Sequence, residues 1–210
     1  MDTNEQIKLI KQSFRQMMDG SVAQSMRDKG VDYKLNWGAT LPRLQAKADE
    51  LKADNDPQSL YHLAIALWKE HVRECKILAT MLMPADLMLP EVVDIWMEQN
   101  DAQEIAEQAA FNLFQHLPYA PAKAYEWIAS DKPLYQLCGF HILSRLFMNG
   151  QEPNERGINE FLDQALAALQ GPNLAVRKAA MSAVRRFADL GLVYERLAKS
   201  ALWTAGLDFL

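Results

Sequence analysis

The stretch NLAVRKAAMSAVRRFAD, residues 173–189, decides the fold. With 3.6 residues per helical turn, its alanines, valines and phenylalanine gather on one side and its cationic side chains on the other. Asn173 is suited to cap the first turn, and Gly171-Pro172 separates this segment from the preceding one. The pattern predicts an amphipathic helix that packs by its apolar side and exposes a row of positive charge.

The same pattern recurs earlier in the chain. Residues 71–79 align with residues 175–183 so that valine, arginine and alanine coincide, and residues 104–110 and 134–140 fit the frame more loosely. The copies lie about 30 to 40 residues apart, close to the period of HEAT-type helical pairs. Because such a pair cannot bury its apolar face alone, the copies predict an all-α, HEAT-like helical-repeat solenoid, an α-α superhelix. A plain helical bundle is the competing architecture.

Proline, glycine and capping residues divide the rest of the chain into helix-sized segments. The predicted helices cover residues 4–18, 21–29, 42–53, 57–68, 69–83, 90–98, 101–116, 121–129, 133–148, 154–169 and 173–189, with a last helix between Gly191 and Gly206. No linker is long enough to mark a domain boundary, so we expect one domain over residues 1–210.

Composition and charge limit the classes of protein to which this chain can belong. Half of the 210 residues are apolar and 23% are charged, which is typical of a soluble globular protein, and no apolar run is long enough to span a membrane. Two cysteines cannot form a disulfide framework, so we expect a cytoplasmic protein. The net charge of −5 is uneven: residues 84–131 carry one basic and nine acidic side chains, whereas residues 171–210 carry six basic and three acidic.

The cationic side of the 173–189 helix is the strongest candidate site. It carries Arg177, Lys178, Ser182, Arg185 and Arg186. A row of cations on one helix face can contact successive phosphates of a nucleic acid. The alternative is a solvated face with local salt bridges.

A smaller basic stripe lies on the first predicted helix. Lys8, Lys11 and Arg15 are spaced i, i+3, i+7 and therefore share one face. The stripe is open to the same two interpretations, a second phosphate contact or a solvated face.

The sequence gives little support for a metal site or a cofactor site. The chain has no Gly-rich phosphate loop and no Cys-x-x-Cys or His-Glu-x-x-His motif. His71 with Cys75, and Cys138 with His141, share helix faces, but two ligands do not make a metal site. The sequence predicts no metal and no cofactor, and packing roles for both cysteines.

One acidic helix could support catalysis. Asp101, Glu104 and Gln108 lie on one side of it, with Phe111 two turns beyond Glu104. A carboxylate beside an aromatic ring, in an otherwise positive groove, could stabilise a developing sugar cation. A solvated acidic helix is the alternative.

Three segments together resemble a known family. They are LNWGATLPRL at residues 35–44, Leu67-Trp68 followed by Val72-Arg73-Glu74, and VRKAA at residues 176–180 followed by Ala183-Val184-Arg185. In this order they are similar to the bacterial alkylpurine DNA glycosylases of the AlkD type, which are built from HEAT-like repeats. The resemblance covers most of residues 20–190. It implies binding of double-stranded DNA in a basic concave groove and hydrolysis of the N-glycosidic bond of alkylated purines.

The resemblance also implies site residues. Glu104 stands at the position of the family's catalytic aspartate, and Asn100 stands at its first tryptophan. The family's arginine falls near Cys138, and its second tryptophan falls on Ser182. Aromatic faces hold a cationic base and the carboxylate stabilises oxocarbenium-like charge, so only the carboxylate is retained. The sequence therefore predicts DNA binding and leaves base excision open, with Glu104 as the candidate catalytic residue.

A second function class fits the overall charge. A non-catalytic helical-repeat scaffold could bind a basic protein partner through the acidic block of residues 84–131. The charge of the concave surface would distinguish a DNA-binding protein from such a scaffold.

Overall fold

The computed structural model describes residues 2–28 and 33–207, and within them every regular element is helical. The helices are α1 Thr3–Gln16, α2 Gly20–Asp28, α3 Leu41–Asp54, α4 Pro57–Trp68, α5 Arg73–Leu82, α6 Pro90–Glu98, α7 Gln103–Asn112, α8 Ala120–Ile128, α9 Pro133–Met148, α10 Glu155–Gln170, α11 Leu174–Ala188 and α12 Leu192–Thr204. The prediction of an all-α protein is confirmed.

Capping residues account for where several of these helices begin. The Asp56 side chain accepts hydrogen bonds from the backbone N–H groups of Gln58 and Ser59 at 2.9 and 3.0 Å, and proline follows at the first helical position of α4. Asn173 caps α11 in the same way. Because the first N–H groups of a helix have no partner within it, these side chains fix the helix starts.

Two predicted helices were wrong in extent. The helix expected from residue 69 begins at Arg73, because Val72 is extended and the Arg73 N–H donates to the Leu35 carbonyl. The helix expected over residues 101–116 begins at Gln103 and ends at Asn112, where Leu113 leaves the helical conformation, and a short 3-10 turn follows at Phe114–His116.

The chain divides into two compact units, Met1–Leu113 and Phe114–Leu210. In the first unit, α5 packs against α3, α4 and α7, and α1 packs against α4. In the second, α9 packs against α8 and α11, and α11 also contacts α10 and α12. The four sequence copies fall on α5, α7, α9 and α11, which are alternate helices. The single domain expected for residues 1–210 stays a prediction.

Close backbone packing fixes α9 in the second unit. A Cβ atom on Gly139 would lie 2.8 Å from the Ala124 carbonyl oxygen and 2.9 Å from the Ile128 nitrogen, both in α8. Only glycine allows the two helices to approach this closely. None of the helices in the described ranges has the length and apolarity that crossing a membrane requires.

Candidate nucleic-acid interface

A cleft of about 920 Å³ lies between α11 and the start of α12 in the second unit. It is lined by Lys178, Met181, Ser182, Arg185, Arg186, Ala188, Asp189, Gly191, Leu192 and Glu195. We call it the α11 cleft. Four of the five candidate DNA-binding residues line it, because α11 buries its alanines, valines and phenylalanine and turns its other side to solvent.

The cations of the α11 cleft differ in whether they form an ion pair with an acidic side chain. Arg186 pairs with Asp189 at 3.2 Å, one turn further along. Lys178 and Arg185 are exposed, and no residue in the described part of the chain forms an ion pair with either. They stand seven residues apart, about 10 Å along the helix axis. These two positive charges on one helix face are available to an anionic ligand, while the acidic side chains that line the cleft are already paired, Asp189 with Arg186 and Glu195 with Lys199.

Ser182 lies between these two cations on the exposed side of α11. Its hydroxyl is 3.4 Å from that of Ser144, which is buried on the neighbouring helix α9. Ser182 occupies the position at which the sequence resemblance expects a tryptophan. The hydroxyl can donate or accept a hydrogen bond, but it offers no aromatic face to a cationic base.

Arg177 is separated from the other four candidates. It is half-buried, does not line the α11 cleft, and donates from Nη1 to the carbonyl of Gly171 at 3.1 Å. The matching arginine of the α5 copy, Arg73, likewise donates from Nη1 to a preceding backbone carbonyl, that of Ala39, at 2.9 Å. The two acceptors lie in different places, since Gly171 is in the turn directly before α11 whereas Ala39 precedes α3, so the two arginines anchor different loops.

Glu104, the candidate catalytic residue, belongs to a tight ion-pair network in the first unit. Arg73 donates from Nη2 to Oε1 of Glu104 at 2.6 Å and from Nε to Oε2 at 2.8 Å. The Tyr33 hydroxyl donates to the same Oε2 at 2.6 Å. The Arg73 side chain is 1% exposed and that of Glu104 is 23% exposed. The carboxylate is therefore held in a bidentate pair that ties α7 to α5 and to the loop before α3.

The network keeps Glu104 ionised. Burial alone would raise the pKa of this carboxyl, but hydrogen bonds from Arg73, its charge and the Tyr33 hydroxyl together hold the pKa below its ordinary value. Burial and the bond to Glu104 raise the pKa of Tyr33. Glu104 is thus an anion at neutral pH whose charge is already compensated by Arg73.

A second buried carboxylate completes the network. Glu74 is fully buried and accepts hydrogen bonds from the backbone N–H groups of Gly38 and Ala39 at 3.0 and 3.2 Å. Its Oε1 is also 3.3 Å from Nη1 of Arg73. Gly38 has φ +77°, and a Cβ there would lie 2.2 Å from the Asp19 carbonyl oxygen, so this turn requires glycine.

Asn100, at the position of the family's first tryptophan, is a local structural residue. It is buried, its side-chain oxygen accepts from the Ala102 N–H at 3.1 Å, and its side-chain nitrogen donates to the Ala102 carbonyl at 3.1 Å. This turn fixes the entry into α7. An aromatic face for a cationic base is absent at this position.

The two His–Cys pairs are not assembled for metal binding. Cys75 is buried while His71 is exposed, and Cys138 is buried beside the half-buried His141. Across residues 2–28 and 33–207, no three histidine, cysteine or acidic side chains are grouped to hold a metal ion. Leu137, at the position beside the family's arginine, is also buried.

Sequence reasoning missed Arg73 and Tyr33 as partners of Glu104. The alignment of residues 71–79 with residues 175–183 did mark Arg73 as a recurrent position. The recurrence of an arginine at the start of two helices was the available signal. Tyr33 gave no signal, because its contact with Glu104 joins residues 71 positions apart.

Comparisons with known proteins place these features in context. A family model described as DNA alkylation repair enzyme matches residues 10–190. A solved structure described as "a new family of proteins related to the HEAT-like repeat DNA glycosylases with affinity for branched DNA structures" superposes with a TM-score of 0.78 at 16% identity, covering 97% of this chain and 81% of its own. No curated protein of similar sequence was found. The predicted HEAT-like repeat fold is confirmed by this superposition.

Proposed function

The chain belongs to the DNA alkylation repair enzyme family, and from that premise we propose that it binds the backbone of double-stranded DNA through the α11 cleft. The observation that carries the proposal is the pair of exposed, uncompensated cations Lys178 and Arg185, with Ser182 between them. A lysine, an arginine and a hydroxyl on one rigid face are the groups that proteins use most often against phosphate oxygens.

The five candidate residues contribute unequally to this proposal. Lys178 and Arg185 gain a new partner on binding, so each phosphate they neutralise releases counterions. Arg186 must first break its ion pair with Asp189, or keep it while also contacting a phosphate. Arg177 already donates a hydrogen bond to the Gly171 carbonyl, and we assign it a supporting role in positioning α11.

A salt titration of duplex binding tests the proposal. For the double variant Lys178→Gln/Arg185→Gln, the slope of log K against log[salt] should become shallower by about 1.8, at roughly 0.9 per phosphate contact. The affinity at 0.1 M salt should then fall roughly 60-fold, and the two proteins should converge near 1 M. The control Arg156→Gln/Arg196→Gln removes two exposed charges of the same unit that do not line the cleft. An unchanged salt slope and an unchanged duplex affinity in Lys178→Gln/Arg185→Gln would refute the proposal.

Base excision is a separate proposal that rests on Glu104. If the protein releases alkylated purines, Glu104 is the candidate carboxylate, with no metal or cofactor. Its pairing with Arg73 compensates the charge that an oxocarbenium-like transition state would need. Release of N7-methylguanine from duplex DNA by the wild type, lost in Glu104→Gln at a temperature where calorimetry shows that variant to be folded, but retained by the control Glu98→Gln, would support catalysis. Equal release by both variants would exclude a catalytic role for Glu104.

The protein scaffold remains the alternative from another class. It rests on the acidic block of residues 84–131. It predicts a stoichiometric complex with a basic protein and no duplex binding at low salt. Duplex binding that depends on Lys178 and Arg185 would decide against it.

A further inference from the structure

Helix α12 of the second unit carries an exposed tryptophan that the α11 cleft does not use. We propose that α12 binds single-stranded DNA, with an unpaired base stacked on Trp203. This surface and this form of DNA both lie beyond duplex binding in the α11 cleft. The inference rests on the proposed function only in taking DNA as the polyanion.

Four side chains of α12 form one exposed line, which we call the α12 strip. They are spaced i, i+4, i+7 and i+11, and they are Leu192, Arg196, Lys199 and Trp203. Ala198 and Leu202 are buried, and α12 packs against α10 and α11. This packing fixes the rotation of α12, so the strip faces solvent over about 16 Å.

Trp203 differs from every other tryptophan of the chain in its exposure. It is 82% exposed, whereas none of the other four is more than 8% exposed: Trp37, Trp68, Trp96 and Trp127. An exposed indole offers an open aromatic face, and every nucleic-acid base has a π-face that can stack on it. Trp203 can therefore receive a base of any identity.

The surface around Trp203 is polar. Ser200 and Thr204 are exposed beside it, and Lys199 precedes it by about one turn. The core of a protein interface surrounds its aromatic anchors with other apolar side chains and is depleted in charge, so this setting does not suit an apolar protein partner. One aromatic face among polar and cationic groups is the arrangement that binds single strands, whose bases stack and whose phosphates are charged.

The α12 strip also supplies a cation for the phosphates of the strand. Arg196 is exposed about 10 Å before Trp203, and no residue within 2–28 and 33–207 forms an ion pair with it. Lys199 lies between them and pairs with Glu195 at 2.5 Å. Leu192, at the other end of the strip, also lines the α11 cleft. A strand whose base stacks on Trp203 can thus place a phosphate against Arg196 and continue toward the α11 cleft.

The aromatic contact selects an unpaired strand over a duplex. In a duplex each base face is covered by the neighbouring base pairs, so stacking on Trp203 would first require unstacking. A single strand presents its base faces without that cost. Duplex binding should therefore depend neither on Trp203 nor on Arg196, and the salt titration of Arg156→Gln/Arg196→Gln checks the second of these.

The first test uses the intrinsic fluorescence of the protein with an oligothymidylate of about a dozen nucleotides. Because the other four tryptophans are buried, quenching on addition of the oligonucleotide should come from Trp203. The quenching should be absent in Trp203→Ala and in Trp203→Phe. Both variants should keep the Tm of the wild type, since the side chain that they change is exposed.

The second test measures affinity by the fluorescence anisotropy of a labelled oligothymidylate. Trp203→Ala should bind at least about fivefold more weakly, the lower end for one base stacked on an aromatic ring. Trp203→Phe should recover most of the affinity, because it keeps an aromatic face. Arg196→Gln should make the salt slope shallower by about 0.7, the value for one phosphate of a single strand. The controls Val193→Ala and Arg156→Gln change exposed residues of the same unit outside the strip and should bind like the wild type.

Several results would overturn the inference. They are an unchanged affinity in Trp203→Ala, an equal loss in Val193→Ala, and a duplex affinity that depends on Trp203 as strongly as the single-strand affinity does. A wild-type dimer that Trp203→Ala dissociates in sedimentation would assign the surface to a second copy of the chain instead. Tighter binding of an oligouridylate than of the oligothymidylate would assign it to RNA.

The outcomes also separate this inference from the proposed function. Oligothymidylate binding through Trp203 by a protein that binds no duplex would overturn the proposed function and support the inference. Duplex binding through Lys178 and Arg185 without oligothymidylate binding would overturn the inference and support the proposed function.

Discussion

Replacement of Glu104 by glutamine should destabilise the first unit strongly, because it leaves Arg73 buried without its bidentate partner. Breaking one side of a buried ion pair costs about 3–5 kcal/mol. Arg73 keeps its contact with Glu74 at 3.3 Å and its bond to the Ala39 carbonyl at 2.9 Å, so we expect the lower end, about 3 kcal/mol. For a chain of this length, that corresponds to a fall in Tm of about 6–12 °C.

Scanning calorimetry and urea unfolding at pH 7 would measure the change. Glu98→Gln, at an exposed position of α6, is the control and should stay within about 0.5 kcal/mol of the wild type. Tyr33→Phe removes one hydrogen bond to the same carboxylate and should cost about 1.5 kcal/mol. A loss below about 1 kcal/mol for Glu104→Gln, or an equal loss in the control, would refute the structural role that the contacts assign to Glu104.

The pH dependence of the same variant follows from the sign of the pKa shift. The pKa of Glu104 lies below its ordinary value of 4.5 in the folded protein, so the unfolded chain takes up its proton first as the solution is acidified. The stabilisation is complete above pH 4.5 and is lost as the pH falls through the folded pKa. The stability difference between the wild type and Glu104→Gln should therefore shrink on acidification below that pH.

Three further predictions concern the second unit and its packing. Gly139→Ala places a Cβ 2.8 Å from a carbonyl oxygen of α8 and should cost about 1–3 kcal/mol by urea unfolding, whereas Gly20→Ala, with open space at its Cβ, should not destabilise. Burial, and after it the charge of Arg145, lowers the pKa of His141 to about 4, so NMR titration should find this ring neutral at pH 5. In the unfolded chain that ring is protonated near pH 6.5, so His141 should make the free energy of unfolding decline as the pH falls from 6.5 to about 4. A ring that titrates near pH 6.5 in the native protein would contradict this. Burial raises the pKa of the Cys138 thiol, so a thiol reagent should modify it only after unfolding, and rapid modification of the native protein would contradict the packing.

Most of the fold could be predicted because its signals are local. Proline and Asp or Asn caps mark the starts of α4 and α11, and the 3.6-residue period gives the buried side of α11. The start of α5 could not be predicted, because it is set by the hydrogen bond from Arg73 to the Leu35 carbonyl, a contact between distant segments. The break at Leu113 has no proline or glycine to announce it.

The candidate site divides in the same way. The exposed side of α11 could be predicted from helical period, and Lys178, Ser182 and Arg185 lie there. The sequence could not predict which of these cations already have a partner. Arg177, for example, is held by the Gly171 carbonyl, and the turn before α11 sets the position of that carbonyl. The pairing of Glu104 with Arg73 joins residues 31 positions apart and depends on the packing of α7 on α5.

The recurring arginine at the start of α5 and α11 has an evolutionary consequence. The arginine recurs in both copies and each time donates to a backbone carbonyl, although the carbonyl is that of Gly171 just before α11 for Arg177 and that of Ala39 before α3 for Arg73. The following position has no shared role: it is the buried Glu74 in one copy and the exposed Lys178 in the other. Among relatives with these repeats, selection for affinity to a polyanion should therefore be recorded at that following position, and the arginine before it should persist even in members that have lost the ligand.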